Sequence, residues 1–203
     1  WGRAGEGPQQ QSMPRRLPVA ATDFHPHYVV WELTLKCDLA CTHCGSRAGE
    51  ARDDELKTDE ALDLIRQLAE VGITEVTLIG GEAFLRPDWL TLARAIADAG
   101  MIPTMVTGGF GVNKFTAGKM KEAGCKRVAF GVETGDEDIL ISIDKRIDHA
   151  TIRQAFKNAK QVGLETMGFF IIGLPGDTEE TMEKTIRFAI ELNPLVANFS
   201  MMT

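Results

Sequence analysis

The sequence predicts a parallel α/β fold, and two observations carry that prediction. Four segments, AEVGITEVTLIG, ADAGMIPTMVTG, KEAGCKRVAFGV and KQVGLETMGFFI, share one plan: a helix ends in Gly, a few residues turn the chain, and an apolar run follows. The runs are short and nearly all apolar, as strands covered by helices are. Alternation of this kind builds a parallel sheet with right-handed crossovers.

Each element follows from local chemistry. Residues 1–27 are rich in Gly, Pro, Gln and Arg with no apolar period and read as a flexible extension, so the folded domain is expected over 28–203. A first strand is expected over Tyr28–Leu35. Ala61, Leu64, Ile65, Leu68 and Ala69 recur at helical spacing before Gly72, and Leu92, Ala95, Ile96 and Ala99 repeat the pattern before Gly100. These glycines, with Gly124 and Gly163, suit the left-handed conformation that closes a helix. Val76–Ile79, Val128–Val132, Met167–Ile172 and Leu195–Phe199 read as strands, and a third strand precedes Thr107. Asp177 and Glu180 stand at capping-box spacing before a helix over Glu179–Leu192.

An open doubly wound sheet and a partial barrel both fit six such strands. In either architecture, chemistry gathers at the carboxyl ends of the strands. The polar and glycine-rich groups fall there: Cys37 to Cys44, Gly80-Gly81-Glu82, Thr107-Gly108-Gly109, Glu133-Thr134 and Gly173.

Composition narrows the function classes. The chain has 203 residues, 44% hydrophobic and 25% charged, in the ordinary range for a globular protein with one sizeable core. A net charge of −7 without clustered Lys and Arg argues against a nucleic-acid partner. No apolar run approaches the roughly 20 residues of a membrane span, and the first residues carry no signal-peptide core. A cytoplasmic location is expected, with no membrane partner. Of the cysteines Cys37, Cys41, Cys44 and Cys125, three crowd into eight residues, which suggests a metal site and not a disulfide framework.

Thiolates ligate iron–sulfur clusters, and three cysteines in Cys37-Asp-Leu-Ala-Cys41-Thr-His-Cys44 leave one iron of a cubane without a protein ligand. An open iron can bind a substrate. The alternatives are thiols packed as small hydrophobes, or a structural zinc site completed by Cys125, for which the usual second CxxC pair is absent. Cys125 follows a helix-ending Gly and leads into a strand, so it reads as a core residue. Glu133 ends an otherwise apolar strand and needs a partner: a ligand hydroxyl pair, an ammonium, or an ion pair with Lys145, Arg146 or Arg153.

CxxxCxxC after a first strand, followed by Gly80-Gly81-Glu82 after the second, resembles the radical S-adenosylmethionine (SAM) superfamily over residues 28–203. The resemblance implies a partial (β/α)6 radical SAM barrel with parallel strands. It implies that Cys37, Cys41 and Cys44 hold a [4Fe-4S] cluster whose open iron chelates the methionine moiety of S-adenosyl-L-methionine, and that His43 packs near the adenine. Gly80, Gly81 and Glu82 are expected to accept hydrogen bonds from the methionine amine, and Glu133, in a GVETG stretch, to lie at the cosubstrate. Gly173 resembles the fifth-strand adenine contact, and Thr107 is expected either to bind the cosubstrate or to cap a turn.

The family's chemistry follows as an expectation. An electron from a flavodoxin- or ferredoxin-type donor reduces the cluster, the sulfonium bond breaks, and a 5′-deoxyadenosyl radical abstracts hydrogen from a substrate. Up to about residue 110, Val30 to Cys44 and Gly80 to Asp88 resemble peptide-modifying members with a SPASM-type extension, whereas the stretch from about residue 119 resembles cobalamin-associated and methylthiotransferase-like members. A peptide or protein side chain is the expected substrate, ahead of a small molecule. The chain ends soon after the sixth strand without a second cysteine cluster, so substrate recognition is expected to be incomplete. Two further readings stay open: a non-enzymatic iron–sulfur electron carrier or metal-binding module, and a core that cleaves SAM without a substrate.

Overall fold

The computed structural model describes residues 25–202. The extension expected over 1–27 lies outside the described residues except at its end. There the His27 carbonyl accepts hydrogen bonds from the Thr74 and Glu75 amides at 2.9 and 3.1 Å.

Strand β1 (Tyr28–Thr34) leads through a long loop to α1 (Thr58–Glu70) and β2 (Glu75–Gly80). After one 3-10 turn (Ala83–Leu85) come α2 (Trp89–Asp98), β3 (Ile102–Thr107), α3 (Lys114–Glu122) and β4 (Arg127–Glu133). A short α4 (Glu137–Ser142) and α5 (His149–Gln161) then precede β5 (Glu165–Ile172), α6 (Glu179–Leu192) and β6 (Val196–Met201). The expected strands all form, with ends moved by one or two residues. Helix α4 has six residues, too short for an apolar period to announce it.

All neighbouring strands pair in parallel, in the strictly sequential order β1-β2-β3-β4-β5-β6. A doubly wound sheet would reverse its order at a switch point. Sequential order with right-handed crossovers instead lays every helix on one face and curves the sheet into part of a barrel, open between β1 and β6. The ambiguity left by periodicity is thereby resolved in favour of the partial barrel. Among the described residues, no helix is long and apolar enough to cross a membrane.

Alternation along the strands separates two environments. The convex face carries Val76, Leu78, Met105, Val128, Phe130, Val132 and Phe170, all buried under the helices. Phe130 packs on Phe156 of α5 with ring centroids 4.4 Å apart. On the concave face, at the amino ends of the strands, Arg127 bridges Glu75 at 3.3 Å and Glu165 at 3.1 Å. One layer higher, the Thr77 and Thr104 hydroxyls pair between β2 and β3.

Two expectations change in detail. Ala99 is the exposed C-cap of α2, and Ala93 takes the buried place expected of it. The N-cap of α6 is Thr178, whose hydroxyl accepts from the Thr181 amide while the Thr181 hydroxyl accepts from the Thr178 amide. Asp177 is not the cap: its carboxylate accepts from the Gly173 and Leu174 amides, both at 2.8 Å, and so closes the turn that follows β5.

Gly72 and Gly124 close helices with φ of +88° and +93°, but their surroundings differ. A Cβ at Gly72 would meet nothing within 4 Å, whereas one at Gly124 would lie 2.5 Å from the Ala97 Cβ. Gly72→Ala should therefore cost about 1 kcal/mol, from backbone strain alone. Gly124→Ala should cost roughly 2–3 kcal/mol, because overpacking adds to the strain. Urea unfolding of the two variants checks the order; equal costs would mean that α2 moves aside freely.

Candidate active site

The loop after β1 is drawn closed at its base. The Cys37 amide donates to the Gly49 carbonyl at 2.9 Å and the Gly49 amide to the Leu35 carbonyl at 2.8 Å. Inside this loop the Leu39 amide points at the Cys37 sulfur and the Ala48 amide at the Cys44 sulfur, each at 3.4 Å. The Leu39 amide favours the charged form of the Cys37 thiol. Burial is the larger influence at Cys37, and its thiol is pushed above the ordinary range, as is that of Cys41. The far side of the loop is anchored by Thr42, whose amide and hydroxyl both donate to the Ile143 carbonyl, at 2.9 and 3.2 Å.

The three half-buried cysteines line one cavity of about 170 Å³ at the carboxyl ends of the strands. His43, Gly80, Gly81, Thr107 and Glu133 share the wall with them. Among the described residues, no three His, Cys, Asp or Glu side chains gather closely enough to hold a single metal ion. The three thiols share the wall of one cavity, and thiolates are the ligands of polynuclear iron–sulfur groups, in which each takes its own metal atom.

The exits of β1 and β2 touch. A Cβ at Gly80 would lie 2.0 Å from the Thr34 carbonyl oxygen, and one at Gly81 would lie 2.3 Å from that of Lys36. With both side chains absent, the Gly81 and Glu82 amides donate to those same two oxygens at 2.8 and 2.7 Å. Glu82 then turns one layer behind the wall and is wholly buried. Its Oε2 accepts from the Thr107 hydroxyl and the Gly108 amide, both at 2.9 Å, while Oε1 has no partner. Burial pushes this carboxyl up to about 8 against the opposing pull of those two donors. Thr107 also accepts from the Gly109 amide, so its hydroxyl both caps the turn and supports Glu82.

Glu133 finds its partner in Lys145, of the three cations considered for it. Lys145 Nζ lies 2.6 Å from Glu133 Oε1, whereas Arg146 pairs with Asp144 and Arg153 with Glu191. Burial raises the Glu133 carboxyl, but the Lys145 ammonium and then His43 outweigh it and bring the value down to about 2. His43 Nε2 stands 3.6 Å from the same oxygen, and its buried Nδ1 has no partner. Three non-glycine residues take left-handed backbone around this pair: Glu133 (φ +68°), Asp144 (+50°) and Arg146 (+55°). Each such residue costs about 1–3 kcal/mol and persists only where its surroundings hold it.

Two residues singled out in the sequence stand apart from the cavity wall. Gly173 lies at the end of β5 with φ +85°, tied to Asp177. Cys125 is a core residue, 2% exposed, its thiol pushed up to about 12 by burial. Lys145 joins the wall from twelve residues beyond β4. In the sequence it stood only as one of three possible partners for Glu133.

A sequential parallel α/β partial barrel with a three-thiol cavity at its strand mouths defines a cofactor-dependent class of protein. The description "Radical SAM superfamily" matches residues 31–189, and the chain belongs to that family. Family members use a [4Fe-4S] cluster and S-adenosylmethionine. The chain is 35% identical over 109 residues to the AdoMet-dependent heme synthase of Methanosarcina barkeri, covering 53% of this chain and 31% of that one. It is 30% identical over 165 residues to the GTP 3′,8-cyclase of Streptomyces coelicolor, covering 78% and 48%. Streptococcus suis SuiB bound to precursor peptide SuiA shares the fold with a TM-score of 0.74 at 17% identity, over 88% of this chain and 40% of that one. The chain thus spans less than half of the length of these curated relatives.

The Glu82 carboxyl sets a pH dependence. Between its ordinary value of 4.5 and its folded value near 8, the native protein binds the proton that the unfolded chain releases. Stability contributed by this group is therefore full below pH 4.5 and falls as pH rises to 8, by at most about 1.4 kcal/mol per unit. In Glu82→Gln that part of the slope should vanish. Urea midpoints for both proteins across this range check it, and parallel curves would show that the carboxyl is relieved by water.

Proposed function

We propose that residues 28–203 are the catalytic core of a radical SAM enzyme. Cys37, Cys41 and Cys44 would hold a [4Fe-4S] cluster with one open iron, and S-adenosylmethionine would bind across the strand mouths. The observation that carries this reading is the cavity itself: three thiols from one eight-residue stretch share its wall, and a buried, unpartnered carboxylate oxygen lies just behind it. Loaded with these groups, the site supplies reductive cleavage of the sulfonium to methionine and a 5′-deoxyadenosyl radical that takes hydrogen from a substrate.

The chain's own residues would bind, orient and shield. Glu82 Oε1 has no partner, and an incoming ammonium would favour the ionised carboxylate and supply the donor that this oxygen then needs. Gly80 and Gly81, which line the cavity, would offer backbone carbonyls as further acceptors to the same amine. Lys145 places an ammonium on the cavity wall, where a methionine carboxylate needs a counter-charge, while Glu133 beside it offers acceptors to ribose hydroxyls. His43 would pack beside the adenine, and Thr107 acts by supporting Glu82. Gly173 would meet the adenine edge through its carbonyl, since its amide is already donated to Asp177.

An electron carrier would need a fourth thiolate, and Cys125 is sealed in the core. We assign a flavodoxin- or ferredoxin-type protein as electron donor, a cytoplasmic setting and a peptide side chain as substrate. The peptide assignment is supported by the likeness of Val30 to Cys44 and Gly80 to Asp88 to peptide-modifying members and by the fold shared with SuiB.

Anaerobic reconstitution with iron and sulfide, followed by dithionite and S-adenosylmethionine, tests the reading by chromatography for 5′-deoxyadenosine. The wild-type protein should form it, each of Cys37→Ala, Cys41→Ala and Cys44→Ala should lose both cluster and product, and Cys125→Ala should keep both at a modest cost in stability. Product from the Cys41→Ala protein, or zinc uptake with no cluster in the wild type, would overturn the assignment.

A further inference from the structure

The last residue of β4 is held in a conformation it would not adopt unaided. Glu133 has φ +68°, and the amide of Thr134 donates to the carbonyl of Val132 at 3.0 Å, which closes a three-residue turn of the strained, left-handed kind. This turn swings the Glu133 carboxylate onto the cavity wall beside Lys145. The residues that follow are tied to helices behind the sheet. The Thr185 hydroxyl of α6 accepts from the Gly135 amide at 2.9 Å and pairs with the Thr134 hydroxyl at 3.2 Å. A Cβ at Gly135 would lie 2.5 Å from the Lys184 carbonyl oxygen, so loop and helix are in contact there.

The carbonyl of Thr134 takes its bond from His149. The imidazole Nε2 lies 3.0 Å from that oxygen, and a carbonyl only accepts, so Nε2 carries the hydrogen. The ring is fixed on its other sides. Nδ1 faces Glu137 Oε1 at 3.0 Å, and the Phe188 ring of α6 packs against it with centroids 4.4 Å apart. His149 is 6% exposed and is absent from the cavity wall. Its side chain has no part in starting α5, because Asp148 is the N-cap and accepts from the Thr151 amide at 2.7 Å. A buried imidazole with both nitrogens engaged, doing nothing for its own helix, is explained by the turn it grips.

We propose that His149 is a positioning residue for the cosubstrate site: through the Thr134 carbonyl it braces the strained Glu133 turn and so holds the Glu133 carboxylate at the cavity wall. The proposal rests on the role assigned to Glu133 above. It makes the donor at Nε2, and not the aromatic ring, the feature that matters.

Two variants separate donor from ring. His149→Phe keeps the packing on Phe188 and removes both nitrogens; His149→Gln keeps an amide donor at a similar reach. Amide hydrogen exchange over residues 133–136 is read on the protein without cofactor, and equilibrium binding of S-adenosylmethionine on the anaerobically reconstituted protein, with Glu133→Gln as reference. His149→Phe should speed exchange at Thr134 and weaken binding, each about tenfold for the loss of one buried hydrogen bond. His149→Gln should stay close to wild type in both. Wild-type exchange in His149→Phe would overturn the brace, and so would a folded His149→Gln protein with exchange about tenfold faster than wild type, which also decides the matter if His149→Phe fails to fold. Wild-type binding by Glu133→Gln would instead remove the role given to Glu133, while the exchange result would still judge the brace.

Discussion

The contact between the exits of β1 and β2 is the constraint on which the site depends. Two glycines let the backbone at 80 and 81 lie against the Thr34 and Lys36 carbonyls, where any Cβ would stand 2.0 to 2.3 Å from oxygen. That approach joins the base of the cysteine loop to the residues after β2 by two backbone hydrogen bonds. It also carries Glu82 beneath the wall, into reach of Thr107 and Gly108 at the end of β3. A side chain at either glycine would separate the thiols from the acceptors behind them. The Gly-Gly pair is therefore a matter of distance between two strands and not simply of turn formation.

Two carboxylates close to this cavity are driven in opposite directions, and the cause is visible in their neighbours. Glu82 is sealed among neutral donors, so burial dominates and keeps the carboxyl protonated to about pH 8. Glu133 is nearly as buried but has the Lys145 ammonium at 2.6 Å, and its value falls to about 2. One is a carboxyl without its cation, and the other has its cation built into the fold. A zwitterionic ligand such as the methionine moiety would complete the first and share the second. This difference supports the roles assigned to the two residues more strongly than either motif alone.

The fold was legible because its signals are local. Helix-ending glycines and apolar runs depend on a few neighbouring residues, and all six strands appear within two residues of where periodicity places them. The choice between a doubly wound sheet and a partial barrel was not, because strand order is a property of the whole chain. The cysteines, Gly80-Gly81-Glu82 and Glu133 were singled out by their place at strand ends together with the family resemblance, and all but Glu82 meet on one cavity wall. Lys145 remained one of three candidates, since its selection over Arg146 and Arg153 depends on left-handed backbone at Asp144 and Arg146, which no residue type there announces. Asp177 was misassigned as a cap because Thr178, one residue on, offers an equivalent oxygen and the amides of Gly173 and Leu174 compete for the carboxylate.

The same connection after β4 serves both halves of the site. Ile143, at the end of α4, accepts two hydrogen bonds from Thr42 in the cysteine loop, across 101 residues of chain. Two residues later Lys145 reaches Glu133, which His43 of the cysteine loop approaches from the other side. The loop that carries the thiols and the segment that carries the charge pair are thus held by each other as much as by the sheet. The strained residues 133, 144 and 146 all lie on this connection, and strained backbone of this kind persists only where its surroundings hold it.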